Sequence, residues 1–463
     1  MSRFLLSLLL VVSLCKTSAI RAQESLSLEE FLGYVKAFHP LVKQANIKLS
    51  ESEAKLLKAR GAFDPKLAAD FNDKTFKGSS YYERLSATFS VPTYYGVTLK
   101  GQFSEADGTL LNPENTVSGD QLYGVGASIN LGKGLLANER MTALKQAKRF
   151  VDQAKEENAL RVNEILLEAT DAYLDWYRAY QSYEIFDGFI ANAKFRYDGV
   201  RDRFNSGDLA AIDTTEARIA YQNRLLSQEK AGLKLREKAL KASNYLWIED
   251  TPVVLNPSVI PVLSEENFEI LFTVDQVDLE AHPKLKALGY KTDIQRFERR
   301  LQRSNLLPEV TLDYQWLSET DPSKNFNLAL DPDNNTTKLK VALPLFLRKE
   351  RSQLQLANLK LQDATLEQER VYIELKNKLE ALNTASESLS RQRLLADSMV
   401  IDYTTLFKGE QQKFEAGESS LFLVNSRESK LIEAALKAID IEVEQKMADA
   451  EFYFNSTFPN IME

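Results

Sequence analysis

The sequence predicts a mainly α-helical fold with β-strands inserted between very long helices, and with an internal twofold repeat. Glycine and proline are scarce, with 18 and 13 residues among 463, so long helices can run without interruption. Stretches of alternating apolar and polar residues, typical of strands with two different faces, lie between the helical stretches. The same order of elements then occurs a second time along the chain.

Each half begins with a helix between a His-Pro pair and a second proline. The pair at 39–40 matches the pair at 282–283, an offset of 243 residues, and Pro65 matches Pro308 at the same offset. The two histidines of these pairs are the only ones in the chain. We expect them to mark helix starts rather than to bind a metal ion or to catalyse a reaction.

Strands are predicted after each second proline, within 64–132 and 308–346. The alternating positions are Leu67, Ala69, Phe71, Tyr123, Val125, Ala127, Ile129 and Leu131, and then Val310, Leu312, Tyr314, Trp316, Leu339, Val341, Leu343 and Leu345. The first segment is longer by about 29 residues. Its extra part holds two alternating runs within 84–103 around a turn at 92–96, which predict an added β-hairpin. We expect this hairpin to add two strands, six in place of four, rather than to fold as a loop.

Each strand segment leads into a helix of about 70 residues, roughly 105 Å long at ~1.5 Å per residue. These helices are predicted to begin near Leu135 and near Glu350. In the first, apolar residues recur at alternating spacings of three and four, and the many alanines allow coiled-coil packing at close backbone distance. They are Leu144, Ala147, Val151, Ala154, Val162, Ile165, Ala169, Ala172, Trp176 and Ala179.

Both long helices end at a glycine turn, within 204–213 and 414–425, and each is followed by a returning helix of about 35–40 residues. Gly207 is expected in the left-handed conformation that ends a helix without steric cost. Asp213 is then expected to cap the returning helix, with Glu216 reaching back to complete a capping box.

The first 22 residues have the pattern of a secretory signal peptide, with Arg3 followed by a short apolar run and by small residues before Gln23. Cys15, the only cysteine of the chain, lies in this segment. Leu14 before it fits a lipoprotein signal poorly, so lipidation is not favoured. After cleavage the chain would hold no disulfide and no thiol chemistry.

The predicted organisation is a signal peptide at 1–22, a first structural repeat at 23–247, a connector at 248–275 and a second structural repeat at 276–463. The connector contains three prolines and no periodicity, so we expect it to pack on the outside of the helices.

Catalysis is not expected. The sequence has no phosphate-binding glycine loop and no metal-type spacing of histidines with acids, and acid pairs such as Glu156-Glu157 lie in charge-rich helical stretches typical of solvated faces. We predict neither an enzyme nor a cofactor. The net charge of −8 also argues against nucleic acid as the main partner.

Tyrosines cluster at the ends of the predicted strands. These tyrosines are Tyr81, Tyr82, Tyr94, Tyr95 and Tyr123. Aromatic residues that flank short alternating strands are typical of the interface girdle of a membrane β-barrel. The strands of one chain are too few to close a barrel alone. We therefore expect the chain to oligomerise and thereby to cover its sheet edges.

In this order of elements the chain resembles the TolC-type outer-membrane efflux and secretion channel proteins, the outer membrane factors. The resemblance covers essentially the whole chain after the signal. It is carried by the His-Pro pairs, by FDPKL and LPEVTL entering strands, by LPLF leaving the last strand, and by RFNSGDLAAID and KFEAGE at the turns. It implies a homotrimer in the cell outer membrane, with a shared β-barrel and a helical tunnel in the periplasm. It also implies a periplasmic adaptor protein and an inner-membrane pump as partners.

The resemblance further implies roles for residues of the turns. Those that would dock the adaptor are Phe204, Gly207, Leu209, Phe414, Gly417 and Ser420. Asp213 matches an acid that holds neighbouring helices together in the closed state. The position of its usual arginine partner is occupied by Ser419 here. The aspartates that narrow the family's entrance are replaced by Leu423 and Ser426. We therefore predict a periplasmic gate of Asp213, Leu423 and Ser426, with an apolar constriction at Leu423 in place of an acidic ring.

Two alternatives remain at this point, a periplasmic coiled-coil adaptor and a purely structural coiled-coil protein. An adaptor would have one helical hairpin with a compact β domain at its base. The repeat at an offset of 243 residues and the absence of such a domain argue against an adaptor, and the strands inserted between the helices argue against a purely structural coiled coil.

Overall fold

The computed structural model describes residues 25–113, 121–264, 277–319 and 331–456. The predicted signal peptide with Cys15, and residues 265–275 of the predicted connector, lie outside the described residues. The chain divides into two units. The sheet unit consists of Ala45–Leu160 and Asp278–Lys376, and the hairpin unit of Met1–Gln44, Arg161–Val277 and Asn377–Glu463. In the described ranges, no helix combines the length and the apolar character needed to cross a membrane.

The sheet unit contains one antiparallel sheet of six strands. The strands are β2 (Lys66–Phe76), β3 (Ser79–Pro92), β4 (Val97–Asp107), β5 (Gln121–Asn130), β9 (Glu309–Ser318) and β10 (Asn335–Ala342), after a short β1 (Ser25–Ser27) in the hairpin unit. Their order is β10-β9-β5-β4-β3-β2. The predicted hairpin is confirmed, since β3 and β4 pair around a turn in which Gly96 has φ +79°. The expectation of six strands in place of four is therefore correct.

The strand register gives the sheet an apolar and a polar face. Antiparallel partners point to the same face, so the pairs Leu67–Phe89 and Phe71–Leu85 lie side by side. The same face continues across the sheet, ending with Leu312 opposite Leu339 and Val310 opposite Val341. The opposite face is polar, and there Lys100 forms an ion pair with Asp313.

Of the ten residues predicted to recur at coiled-coil spacing, eight are buried in the structure. The buried ones are Ala147, Val151, Val162, Ile165, Ala169, Ala172, Trp176 and Ala179. The helices are α1 (Leu28–Phe38), α2 (Pro40–Arg60), α3 (Glu139–Asn205), α4 (Ala211–Ser243), α5 (Pro283–Ser304), α6 (Arg348–Glu415) and α7 (Leu421–Ser456). The long helices α3 and α6 have 67 and 68 residues, each about 100 Å at ~1.5 Å per residue.

Helix α3 begins later than the apolar pattern predicted. The side chain of Asn138 accepts a hydrogen bond from the Met141 N–H at 2.8 Å, which caps the helix start. The predicted start near Leu135 was therefore early, because the apolar residues before Asn138 belong to the turn that follows β5.

The His-Pro pairs are helix starts, as predicted. The Nδ1 atom of His39 accepts a hydrogen bond from the Leu41 N–H at 3.3 Å in the hairpin unit. In the sheet unit, the Nδ1 atom of His282 accepts one from the Lys284 N–H at 3.0 Å. Each imidazole thus satisfies one backbone donor of the first helical turn.

The described part of the connector forms three short strands, β6 (Trp247–Ile248), β7 (Thr251–Pro252) and β8 (Ile260–Val262). Strand β8 pairs in parallel with β1. The buried Tyr173 hydroxyl bridges these two strands, because it lies 2.7 Å from the Leu26 carbonyl oxygen and accepts from the Val262 N–H at 2.9 Å. The connector is therefore tied to helix α3 by a specific polar contact.

Candidate functional site: the paired helical turns

The first glycine turn ends helix α3 in a Schellman motif. Gly207 has φ +83°, its N–H donates to the Phe204 carbonyl at 3.0 Å, and the Asp208 N–H donates to the Arg203 carbonyl at 3.0 Å. These two hydrogen bonds close a helix on a residue in the left-handed region, as predicted for Gly207. Its chain neighbours aside, no atom of the described chain lies within 4 Å of where a Cβ would stand. Glycine is thus required by its backbone angle alone.

The second turn ends helix α6 with the same two hydrogen bonds. Gly417 has φ +78°, and its N–H donates to the Phe414 carbonyl at 3.1 Å. The Glu418 N–H donates to the Lys413 carbonyl at 2.8 Å. Two distant stretches of sequence therefore reverse direction through one and the same local geometry.

The two returning helices are capped differently. Ala210, which precedes α4, has no side-chain acceptor, and the Asp213 carboxylate accepts a hydrogen bond from the Ala210 N–H at 3.1 Å. The predicted capping box was wrong, because the helix already begins at Ala211, which places Asp213 in the first turn rather than at the cap. Glu216 is therefore too far along the helix to complete it.

In the second turn, a hydroxyl rather than a carboxylate caps the returning helix. Ser420 precedes α7, and its hydroxyl accepts a hydrogen bond from the Leu423 N–H at 3.4 Å. Each turn thus uses one half of a capping box, the carboxylate in the first and the hydroxyl in the second.

The two turns pack on a shared apolar cluster. It consists of the buried Val200, Ala217 and Leu421, with the partly buried Tyr197, Leu209 and Phe414 against it. Phe414 also packs against a second cluster, formed by Phe407, Val424 and Leu431. The structure thus brings together two predicted docking residues, Leu209 and Phe414, and both help to hold the two hairpins against each other.

Large apolar side chains are exposed at matching positions of both turns. Ile212 and Phe422 each follow their glycine by five residues, and they are 72% and 66% exposed. Phe204 is also exposed. Ile212 and Phe422 were not among the residues predicted from the sequence, although their equal distance from the two glycines is a signal that identifies them.

A buried group of charges joins three helices near the turns. Glu428 of α7 is 1% exposed and forms ion pairs with Arg196 of α3 and Arg224 of α4. Arg224 also donates to the Ser429 hydroxyl at 2.9 Å. A carboxylate this deeply buried requires charged partners, and two guanidinium groups supply them here. No sequence signal singled out these residues, because they are separated by up to 232 positions.

The predicted gate residues lie at the starts of the returning helices. Asp213 bonds to the backbone of its own turn, and Ser419, at the position where the resemblance would place an arginine, donates a hydrogen bond to Glu410. Leu423 is 39% exposed and Ser426 is half-buried. Among the described residues no cluster of three His, Cys, Asp or Glu side chains has an arrangement that would hold a metal ion.

The fold is shared with solved structures of bacterial membrane proteins. A membrane protein from Pseudomonas aeruginosa matches with a TM-score of 0.69 and 14% identity, over 93% of this chain and 93% of that chain. The Campylobacter jejuni CmeC outer membrane channel matches with a TM-score of 0.66 and 14% identity, over 93% and 86%. The open state of the Neisseria gonorrhoeae MtrE outer membrane channel matches with a TM-score of 0.66 and 12% identity, over 92% and 88%.

No protein-family model and no curated protein sequence matches the chain. At the identities above, the likeness establishes the fold, which is that of outer-membrane channels. The predicted resemblance to TolC-type channels is confirmed at that level. The structures named as channels are transport proteins rather than enzymes.

Proposed function

We propose that this chain is the outer-membrane channel component of an efflux or secretion system. It would carry substrates from a periplasmic adaptor and an inner-membrane pump to the outside of the cell. The observation that carries the proposal is the two-faced sheet of six strands whose apolar face is open to its surroundings. Leu67, one of the row of large apolar side chains on that face, is 76% exposed. Such a row is rarely exposed to water in a soluble protein.

The uncovered edges of the sheet support an oligomer. Every residue of β2 is exposed and nearly every residue of β10, and these are the two outer strands of the sheet. Outer strands present unpaired N–H and C=O groups, which are costly in a membrane. Joining β2 of one copy to β10 of the next would satisfy both. Three copies would then close a barrel of about eighteen strands, a size that leaves an aqueous channel.

The two faces of the sheet fit this arrangement. Apolar side chains such as Phe71 and Phe89 would face lipid, and the polar face with the Lys100–Asp313 ion pair would line the channel. Tyr94 and Tyr95, at the β3–β4 turn, would lie at the membrane interface, where tyrosine is favoured.

The paired turns are the proposed docking surface for the adaptor. The docking residues predicted from the sequence are Phe204, Gly207, Leu209, Phe414, Gly417 and Ser420. We add Ile212 and Phe422, because exposed apolar side chains at two matching places suit a partner that binds both hairpins in the same way. Asp213, Leu423 and Ser426 are proposed to line the periplasmic gate.

The test is made on the mature protein extracted with detergent from an outer-membrane fraction. Its native mass is measured, and its electrophoretic migration is compared before and after boiling. The protein is then inserted into a planar lipid bilayer. A heat-sensitive trimer that forms discrete pores is the expected result. A water-soluble monomer or dimer without pores would overturn the proposal in favour of a periplasmic adaptor or a structural coiled coil.

A further inference from the structure

The two ends of the six-stranded sheet carry opposite charge. At the end where the strands meet the helices, residues 55–66, 133–149, 296–309 and 340–351 hold 17 lysines and arginines against 5 acids. At the other end, the described residues 73–84, 105–113, 317–319 and 331–335 hold 3 cations against 7 acids. In a chain of net charge −8, this concentration of cations at one end requires an explanation.

A cleft lies within the basic end. It has a volume of about 520 Å³ and opens between helices α2, α3 and α5. Its charged lining consists of Arg60, Lys145, Lys148, Arg149 and Asp152, and its apolar lining of Leu56, Val151 and Phe297. The cleft therefore offers several cations beside an apolar wall, rather than a uniformly polar surface.

The cleft is joined directly to a turn of the sheet. The Lys145 ammonium lies 5.9 Å from the ring centre of Phe297, and also 5.9 Å from the ring centre of Tyr94 in the β3–β4 turn. Tyr94 stacks on Phe63, which precedes β2. Tyr95, next to it, is largely exposed. The cations of the cleft thus lie at the same level as the tyrosines proposed for the membrane interface.

Only part of the positive charge of the cleft is neutralised within the protein. Arg149 forms ion pairs with Asp152 at 3.0 Å and with Asp293 at 3.4 Å. Among the described residues, no carboxylate lies within ion-pair distance of Arg60, Lys145 or Lys148. Arg60 from α2, and Lys145 and Lys148 from α3, therefore remain available for an external anion.

We propose that this cleft binds the phosphate of an anionic phospholipid in the membrane leaflet that borders the helix end of the sheet. The inference rests on the proposed function, which places these strands in a membrane. Arg60, Lys145 and Lys148 would hold the phosphate, and Leu56 and Phe297 would contact the glycerol and the first methylene groups. Clusters of lysine and arginine beside a membrane segment attract anionic headgroups, and ammonium groups also bind aromatic faces.

The test compares lipid binding by the detergent-extracted full-length protein and by two variants. The cleft variant is Arg60→Gln with Lys145→Gln and Lys148→Gln. The matched control, Lys74→Gln with Lys77→Gln and Arg84→Gln, removes the same number of charges from the other end of the sheet. Native mass spectrometry measures binding of phosphatidylglycerol and phosphatidylcholine, with inorganic phosphate as competitor.

The wild-type protein and the control variant are expected to prefer phosphatidylglycerol. Each cation near an anionic lipid strengthens binding about fivefold, so the cleft variant should bind on the order of a hundredfold more weakly. Equal binding by the cleft and control variants would overturn the proposal. So would equal affinity of the wild-type protein for both lipids, a measurement that needs no variant to fold. Displacement of phosphatidylglycerol by inorganic phosphate would point to a site for free phosphate and would also overturn it.

Pore formation by the same preparations separates this inference from the proposed function. If the protein forms pores but does not distinguish the two lipids, only the lipid site is wrong. If it neither enters the outer-membrane fraction nor forms pores, the proposed function itself fails.

Discussion

Asp213 and Leu423 occupy the same position in the two turns, six residues after a glycine, yet only Asp213 closes its turn. Its carboxylate accepts the Ala210 N–H at 3.1 Å, whereas Leu423 only offers its own N–H to the Ser420 hydroxyl. One hairpin thus depends on a charged side chain at this position, and the other leaves an apolar side chain free to face outward. At this shared position, one turn therefore has a capping carboxylate and the other has an exposed apolar side chain.

Replacing Asp213 by alanine should loosen the start of helix α4. The Ala210 N–H would lose its acceptor, and capping contacts of this kind contribute about 0.3–1.5 kcal/mol. Hydrogen exchange of the amides near Ala210 should become faster. Leu423→Ala is the control, since its side chain makes no cap, and exchange there should be unchanged. Equal exchange in wild type and D213A would show that the hydrogen bond does not hold the turn.

Replacing Leu423 by aspartate should make the channel sensitive to multivalent cations. The proposed apolar constriction has no acid at this position, so the wild-type pore should be blocked only weakly by a trivalent cation. L423D would add one carboxylate per copy and should increase the block. Ile212→Asp is the control with the same charge in the other turn. Tight block of the wild-type pore would contradict the apolar constriction.

Alanine at Gly207 or at Gly417 should destabilise its turn. The φ angles of +83° and +78° cost an L-residue about 1–2 kcal/mol, although there is room for the methyl group. Gly199, inside helix α3 and equally unobstructed, is the control. Because glycine disfavours a helix interior by about 0.5–1 kcal/mol, Gly199→Ala should stabilise the protein. Thermal unfolding measures both effects, and a shift in the same direction for all three variants would contradict this account.

Replacing Glu428 by glutamine should destabilise the hairpin unit strongly. Arg196 and Arg224 would lose their common carboxylate while remaining largely buried, and breaking a buried ion pair typically costs about 3–5 kcal/mol. Glu433→Gln, which removes a carboxylate from an exposed pair with Lys430, should have little effect. Thermal unfolding compares the two. Similar losses in both variants would mean that burial of Glu428 is not decisive.

Acidification should lower the stability of the folded protein through protonation of His39. Burial lowers the pKa of His39 below its ordinary value of 6.5, against the raising effects of a hydrogen bond with the Asn244 backbone and of the Glu168 charge. The unfolded chain therefore binds the proton first, so stability is lost as the pH falls from about 6.5 towards the lower native pKa. His39→Asn keeps a capping side chain but does not titrate. The stability of wild type relative to H39N should decrease between pH 7 and pH 5, and parallel pH profiles would contradict the prediction.

The elements that depend on local spacing were predicted well. Strict alternation of apolar residues predicted the strands, and the added hairpin at 84–103 proved to be β3 and β4 of the sheet. Helix lengths followed from the absence of proline, while the start of α3 was missed because Asn138, rather than an apolar residue, begins it. The division into repeats at 23–247 and 276–463, and the roles of the docking and gate residues, stay predictions.

By itself, the sequence determined where helices run, where strands alternate, and where Gly207 and Gly417 reverse the chain, because these features arise from neighbours within a few positions. Tertiary structure alone decided which distant side chains meet. Glu428 has two arginine partners more than 200 positions away, and the basic cleft joins residues from three separate helices. Such groupings follow from strand order and helix packing, whose free energies depend on the whole buried surface rather than on any local pattern.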